Sequence, residues 1–442
     1  MNLRKTAFVF PGQGSQYQGM GMELYKKYPF VRNLYEQASA LTGIDMENLC
    51  FHSDMEILTQ TDNAQLAIFI TSYAAFRVFM EMGVEPSFLS GHSLGEITAL
   101  TCAGAITFED AVEIVKVRGN LMQKAGSYVD GTMAAIRGIK VEELKEMCNA
   151  YLDLICISNY NSKDQFVISG DRGAVGKVTD TVRSKGGKCT LLKVSAPFHS
   201  PFMKEAAKEF TKELKKYRFY ELKYPVISNV TSKPYEGQDD IVEKLSRHLT
   251  NPVQWMGVMD YLLEQKIEFV FEFGPGKVIS TLINKHSGKR MAFSYDEADD
   301  RTEIQRIAFD LSGRKAEKEE VEQKLKVLFS GYIDKICQLR HENTRFLNHS
   351  STAITLCLAH AVCTPNYNVS DTDYQNGVLV PYNKIRRLQA QIEREERMPE
   401  KEEEKEAFQM LYSIFQTKGV PYEEQELRLE KICKTLMIKD GI

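Results

Sequence analysis

No Cys-x-x-Cys pair occurs in these 442 residues, and no Cys/His cluster has the spacing of a structural zinc site. The nine cysteines are scattered from Cys50 to Cys433. An odd, unpatterned set implies no disulfide framework, so reduced thiols in a cytoplasm are expected. Tryptophan is represented by Trp255 alone. No block of Lys or Arg offers a footprint for nucleic acid or a membrane surface: 56 basic residues stand against 60 acidic ones, for a net charge of -4. No apolar run has the length of a membrane span, and the one near the N-terminus, Ala7 to Phe10, stops at Pro11. What remains is 43% apolar and 26% charged residues. That balance supports a sizeable core in a soluble chain of two or three units, with no metal or resident cofactor implied.

Thr6 to Phe10 reads as a buried strand ending at Pro11-Gly12. Helical periodicity runs from about Asn63 to Met82. A short strand at Pro86 to Ser90 stops at Gly91, and the pattern turns helical at once from Leu94. A further helix begins at Thr107, which stands at capping-box spacing from Asp110. Between residues 130 and 195 the order changes to strand (132–137), helix (141–151), strand (154–159), strand (166–170), helix (174–184) and strand (189–194). This βαββαβ order is the ferredoxin-like arrangement and predicts an inserted small subdomain. Phe269 to Phe273 reads as another strand, ending at Gly274-Pro275-Gly276. Strands alternate with helices on both sides of the insert, which predicts a mostly parallel, helix-covered sheet. The expected fold is therefore α/β. A large subdomain spans 1–128 and 197–299, a ferredoxin-like small subdomain 129–196, and a mostly helical C-terminal region 300–442.

The strongest chemical signal is Gly91-His92-Ser93-Leu94-Gly95. Strand, Gly-x-Ser-x-Gly, then helix is the context in which a sharp turn exposes a serine hydroxyl. The helix starting at Leu94 aims free backbone N–H groups at that hydroxyl, where an oxyanion could be held. A serine nucleophile needs a base. His199, in Ser195-Ala196-Pro197-Phe198-His199-Ser200 on a loop before the next helix, is the best placed of eight histidines. His92 is expected to play a structural part at the substrate site rather than to act as base, because the turn aims it elsewhere.

Four blocks in order then carry a resemblance: Phe10-Pro11-Gly12-Gln13-Gly14-Ser15-Gln16; Gly91 to Gly95 with Glu96; Arg118-Gly119 followed by Met122-Gln123; and Pro197-Phe198-His199-Ser200. Asn251-Pro252-Val253-Gln254-Trp255 supports them. Residues 1–295 or so resemble the malonyl-CoA:acyl carrier protein transacylase family, including the free-standing acyltransferases of polyketide assembly lines. The resemblance implies Ser93 as nucleophile, His199 as base, and an oxyanion hole from Gln13 and the Leu94 N–H. It implies Gln254 as the partner that orients His199. It also implies Arg118 as a clamp for a free acyl carboxylate, which suits an always-charged, forked guanidinium. Phe198, with Met122 near the acyl group, would leave no room for an α-branch and favour malonyl over methylmalonyl. The implied partners are malonyl-CoA and a phosphopantetheinylated acyl carrier protein.

Residues 300–442 lie outside that resemblance. Glu303 to Gln338 is charged with helical period, Arg394 to Glu406 is interrupted by Pro399, and apolar residues return at 408–415 and 427–437. This region is expected to form helices with a modest core and could dock a synthase subunit. Two other readings of the whole stay open: an acyl hydrolase that edits loaded carriers, and a carrier-binding scaffold without catalysis.

Overall fold

The computed structural model describes residues 5–311, 353–364, 375–395, 397–418 and 420, with 424, 425, 427–429, 431 and 432. It divides into two compact units, residues 1–314 and 315–442. Strands of the first unit are β1 (Thr6–Phe10), β2 (Phe88–Gly91), β3 (Gly131–Arg137), β4 (Ile155–Ser162), β5 (Gln165–Asp171), β6 (Lys188–Leu191), β7 (Val226–Ile227), β8 (Phe269–Glu272) and β9 (Ala292–Ser294). They form two sheets.

The first sheet runs β7-β2-β1-β8-β9, and every neighbouring pair is parallel. All five residues of β1 are buried, the pattern of a strand covered on both faces. On one face Phe8 meets Phe79 and Phe273, at ring-centroid distances of 5.3 and 5.1 Å. On the other, Ala7 and Val9 pack with Trp255, Val258 and Ile279. Helix Thr61–Met80 is buried along almost its whole length, as expected of a core helix apolar nearly all round. It stacks Phe69 and Tyr73 on Phe108, at the start of helix Phe108–Ala125. Thr107 caps that second helix, its hydroxyl accepting the Asp110 N–H at 3.1 Å. These two helices carry residues that reach the site.

The second sheet, β4-β5-β3-β6, is antiparallel, with helices Val141–Asn149 and Arg172–Ser184 completing the βαββαβ order. Strand β4 continues to Ser162, past the Asn159 end read from the sequence. Its polar end pairs with β5 through a tight hairpin, with register shifts after Ile157 and Tyr160. The last strand is shorter than the sequence pattern suggests and ends at Leu191. A single bridge from Asn159 to Val253 ties this sheet to the chain around the larger one.

Helix Ala298–Leu311 belongs to the first unit, because Ile304, Ile307 and Ala308 are buried in the same core as Phe8 and Phe271. The first unit thus extends past residue 299, where the sequence reading closed it. Its surface is charged like the stretch that follows, which hides the apolar stripe. Most of the stretch from Glu303 to Gln338, and the end of 427–437, lie outside the described residues.

The second unit holds helices Ala353–Cys363, Val380–Arg394 and Lys401–Thr417 around Ile354, Cys357, Ile385, Leu411 and Phe415. Glu400 and Glu403 form a reciprocal capping box at the start of the last helix, directly after Pro399. The Arg397 fork closes on Glu403 at 2.7 and 2.8 Å. Lys418 is buried, and its ammonium donates to the carbonyls of Ala361 and Thr364, both at 2.8 Å, closing the end of the first helix.

Candidate active site

The site lies at the carboxyl ends of the parallel strands, where open α/β sheets place their ligands. Strand β2 ends at Gly91 and helix Leu94–Cys102 begins two residues after His92. A turn this tight leaves no room for side chains. A Cβ on Gly91 would lie 2.0 Å from the Gly95 carbonyl carbon, and one on Gly95 would lie 2.1 Å from the Phe10 oxygen. Ser93 sits between them at φ 52°, ψ -107°, a conformation that costs a non-glycine residue about 1–3 kcal/mol. The strained backbone turns its hydroxyl toward His199.

Ser93 Oγ and His199 Nε2 are 2.9 Å apart. His199 Nδ1 faces the His248 carbonyl at 2.8 Å. A carbonyl only accepts, so Nδ1 carries the proton and Nε2 offers its lone pair to the serine hydroxyl. Burial, with the positive charge of Arg118 next in weight, holds the His199 pKa down to about 3. The resting imidazole is therefore neutral.

Arg118 is 1% exposed. Its Nη1 donates to Gln65 Oε1 at 2.6 Å and its Nη2 to Ser93 Oγ at 3.1 Å. No carboxylate pairs with it among the described residues, and its Nε–H finds no acceptor there. Burial lowers its pKa to about 10, with the nearby Glu96 pulling the other way. A buried guanidinium with an unsatisfied donor, beside a serine hydroxyl, has the chemistry to take an anion.

A cavity of about 710 Å³ opens over these groups. Gln13, His92, Ser93, Leu94, Arg118, Met122, Phe198 and His199 all line it. The side-chain amide of Gln13 is taken by Thr61 Oγ1 at 3.2 Å, and Thr61 in turn meets Ser195 Oγ at 2.9 Å. Leu94 is the first residue of its helix, so its N–H has no carbonyl four residues back and points outward. The His92 ring meets Asn161 Oδ1 at 2.9 Å beside Trp255. Met122 Sδ accepts from the Gln65 amide at 3.3 Å, and both Met122 and Phe198 are buried in the wall. Gln254 does not line the cavity. It starts helix Trp255–Glu264, and its backbone N–H bonds Asn229. The expectation that Gln254 orients His199 is corrected: the His248 carbonyl does so, supported by Asn251.

Gln65 and Asn229 went unrecognised in the sequence. Gln65 sits fully buried on a helix that otherwise reads as core, which is itself a signal. Asn229 follows the end of β7, beside β2, and the carboxyl edge of a parallel strand is where polar residues merit inspection. Among the described residues no cluster of His, Cys, Asp and Glu could hold a metal, and no helix is long and apolar enough to cross a membrane.

A parallel sheet bearing a ferredoxin-like insert, with a serine–histidine pair next to a buried arginine, places the molecule among acyltransferases that use a serine nucleophile. Residues 7–284 match the family described as Acyl transferase domain. The chain is 34% identical over 433 residues to a Bacillus subtilis malonyl CoA-acyl carrier protein transacylase, covering 97% of this chain and 100% of that one. The FabD structure from Acinetobacter baumannii superimposes with a TM-score of 0.66 at 35% identity, covering 70% of this chain and 99% of the other. A malonyl-transacylase solved in complex with its type II PKS acyl-carrier protein gives 0.66 at 34% identity, covering 69% and 99%. The chain belongs to the malonyl CoA-acyl carrier protein transacylase family. The Bacillus relative also corrects the extent of the resemblance, which continues through the C-terminal region rather than stopping near residue 295.

Proposed function

We infer that this chain transfers a malonyl group from malonyl-CoA to the phosphopantetheine thiol of an acyl carrier protein, through a malonyl ester on Ser93, in fatty-acid or polyketide synthesis. The observation that carries the reading is the Arg118 guanidinium, fully buried, without a carboxylate partner among the described residues and 3.1 Å from the serine oxygen. An acyl group ending in a carboxylate supplies the missing charge. Leaving a buried charge unpaired costs several kcal/mol, so acyl groups that lack the carboxylate forgo that stabilisation.

In the first half-reaction Ser93 Oγ attacks the thioester carbonyl while its proton moves to His199 Nε2. The His248 carbonyl holds the Nδ1–H, so the imidazolium forms without turning. The oxyanion lies against the Leu94 N–H at the helix start and the backbone N–H of Gln13, whose side chain Thr61 already engages. His199 returns the proton to the departing thiolate, and coenzyme A leaves. The carrier thiol then gives its proton to His199 and attacks the ester, and Ser93 is restored. A cavity of about 710 Å³ is large enough for the acyl group and its pantetheine arm. Burial of Phe198 and Met122 in its wall supports malonyl over α-branched acyl groups, a discrimination worth about 1–3 kcal/mol. Free thiols at Cys50, Cys102 and Cys148 support a reducing, cytoplasmic setting.

Intact-protein mass after brief exposure to malonyl-CoA tests this. A malonyl adduct is expected on the parent chain, absent from Ser93→Ala, and discharged to a holo carrier protein. Free malonate with no transfer to the carrier would make the chain a hydrolase instead.

A further inference from the structure

Ser93 is held in a strained backbone conformation that nothing in the serine side chain itself explains. Two hydrogen bonds from one residue hold it. Asn229 Nδ2 donates to the Gly91 carbonyl at 2.7 Å, and Asn229 Oδ1 accepts the Ser93 N–H at 2.7 Å. The amide thus spans the peptides on either side of His92. Asn229 is fully buried, and its own backbone is fixed at both ends. Its N–H donates to Glu96 Oε2 at 2.7 Å, and its carbonyl accepts from Gln254 N–H at 2.9 Å. Glu96, on the first turn of the helix after the elbow, takes the Tyr235 hydroxyl on its other oxygen at 2.5 Å.

The same residues reach the base. The His248 imidazole rests 3.4 Å from Asn229 Oδ1 and 3.6 Å from Glu96, while the His248 carbonyl holds His199. One buried polar cluster therefore touches the backbone of the nucleophile and the residue that anchors the base. None of its side chains lines the cavity, so none of them touches the acyl group itself, and Asn229, which carries no charge, acts on the chemistry through position. Only asparagine supplies a donor and an acceptor at this reach: aspartate would lose the donor and add a buried charge, and alanine would lose both.

We propose that Asn229 is a positioning residue for the transfer reaction, clamping the Ser93 elbow while Glu96 and Tyr235 hold Asn229 in place. The inference rests on the reading of Ser93 and His199 as the acyl-transfer pair. In that role the cluster sets the distance between Oγ and Nε2, and displacements of about 1 Å cost roughly 10²-fold in rate.

The test uses the full chain, malonyl-CoA and a holo carrier protein. Asn229→Ala is expected to lower kcat by roughly 10²-fold while KM for malonyl-CoA stays within about twofold, because Arg118 and the cavity wall are untouched. Tyr235→Phe, a deletion of one hydroxyl that preserves packing, is expected to lower kcat by a few-fold. If Tyr235 acts through Asn229, the double variant is no slower than Asn229→Ala alone. A destabilised fold would instead lower the fraction of chains that take up malonyl and leave the survivors at parental kcat. Losses that multiply in the double variant, an Asn229→Ala protein with parental kcat, or a loss fully explained by inactive chains would each overturn the proposal. A parent chain that takes up no malonyl group would overturn the functional reading, and this inference with it.

Discussion

Two buried cations sit in two different units, and the molecule treats them in opposite ways. Lys418 donates to two helix-end carbonyls at 2.8 Å, an arrangement that satisfies the end of a helix from within its own unit. Among the described residues Arg118 has an amide oxygen and a serine oxygen as acceptors, an Nε–H without one, and no carboxylate in contact. Buried charge in the C-terminal unit therefore serves folding. On the function proposed above, the buried charge of Arg118 in the α/β unit is held ready for a substrate carboxylate, at a cost in stability that the bound carboxylate removes.

The sharpest way to break this contrast is to make both residues apolar. Arg118→Met is expected to lower kcat/KM for malonyl-CoA by roughly 10²–10³-fold, as loss of a carboxylate clamp should. The same change should leave thermal stability equal or raise it by about 1 kcal/mol, since an unpaired buried charge is gone. A parallel melting curve and kinetic assay decide it: a variant that melts earlier and still transfers malonyl would make Arg118 another Lys418. Lys418→Met should behave in reverse, losing about 1–3 kcal/mol of stability by stranding two carbonyls while parental kcat is kept. A drop in transfer rate without a drop in stability would give the C-terminal unit a part in the chemistry.

The pH dependence sharpens the comparison further. In the proposed transfer neutral His199 is the base, and with its pKa near 3 the rate of acyl loading should be flat from weakly acid to neutral solution. Arg118 is one of the causes of that depression, so Arg118→Met should raise the His199 pKa and move the acid limb to higher pH. Loading with acetyl-CoA, which has no carboxylate to clamp, measures this on both proteins. An unmoved limb would show that burial alone sets the base.

The smallest expected effect concerns Glu272, a buried acid whose oxygens accept the Ile279 and Ser280 N–H groups at 3.0 and 2.7 Å. Burial raises its pKa from 4.5 to about 7. A raised folded-state value favours folding while the group is protonated. That contribution is complete below 4.5 and is lost as the pH climbs through about 7. Melting temperatures of the parent and Glu272→Gln across this window should differ in slope, the parent losing more on the alkaline side.

How far the sequence spoke for itself depended on whether a feature is local. Gly91 to Gly95 could be read because strand, turn and helix are contiguous there. The βαββαβ insert was visible because each of its elements keeps one period throughout. Gln254 was misjudged for a physical reason: the group that orients His199 is a backbone carbonyl, and every residue has one, so His248 left no mark of type. Asn229 reaches the elbow only through the pairing of β7 with β2, across a separation of 136 residues from Ser93. Arg118 was found by its block, but its lack of a carboxylate partner emerges only once Gln65 and Ser93 are in place around it.

That dependence on distant pairing has a consequence during synthesis. The nucleophile leaves the ribosome early, whereas Asn229 and His248 arrive only after the small subdomain and β7 have been made. Until they dock, the serine lacks its clamp and the histidine lacks its anchor. A nascent or truncated chain therefore carries Ser93 without the means to attack a thioester. The fold keeps its hydroxyl idle until the segments that clamp the elbow and anchor the histidine have been made.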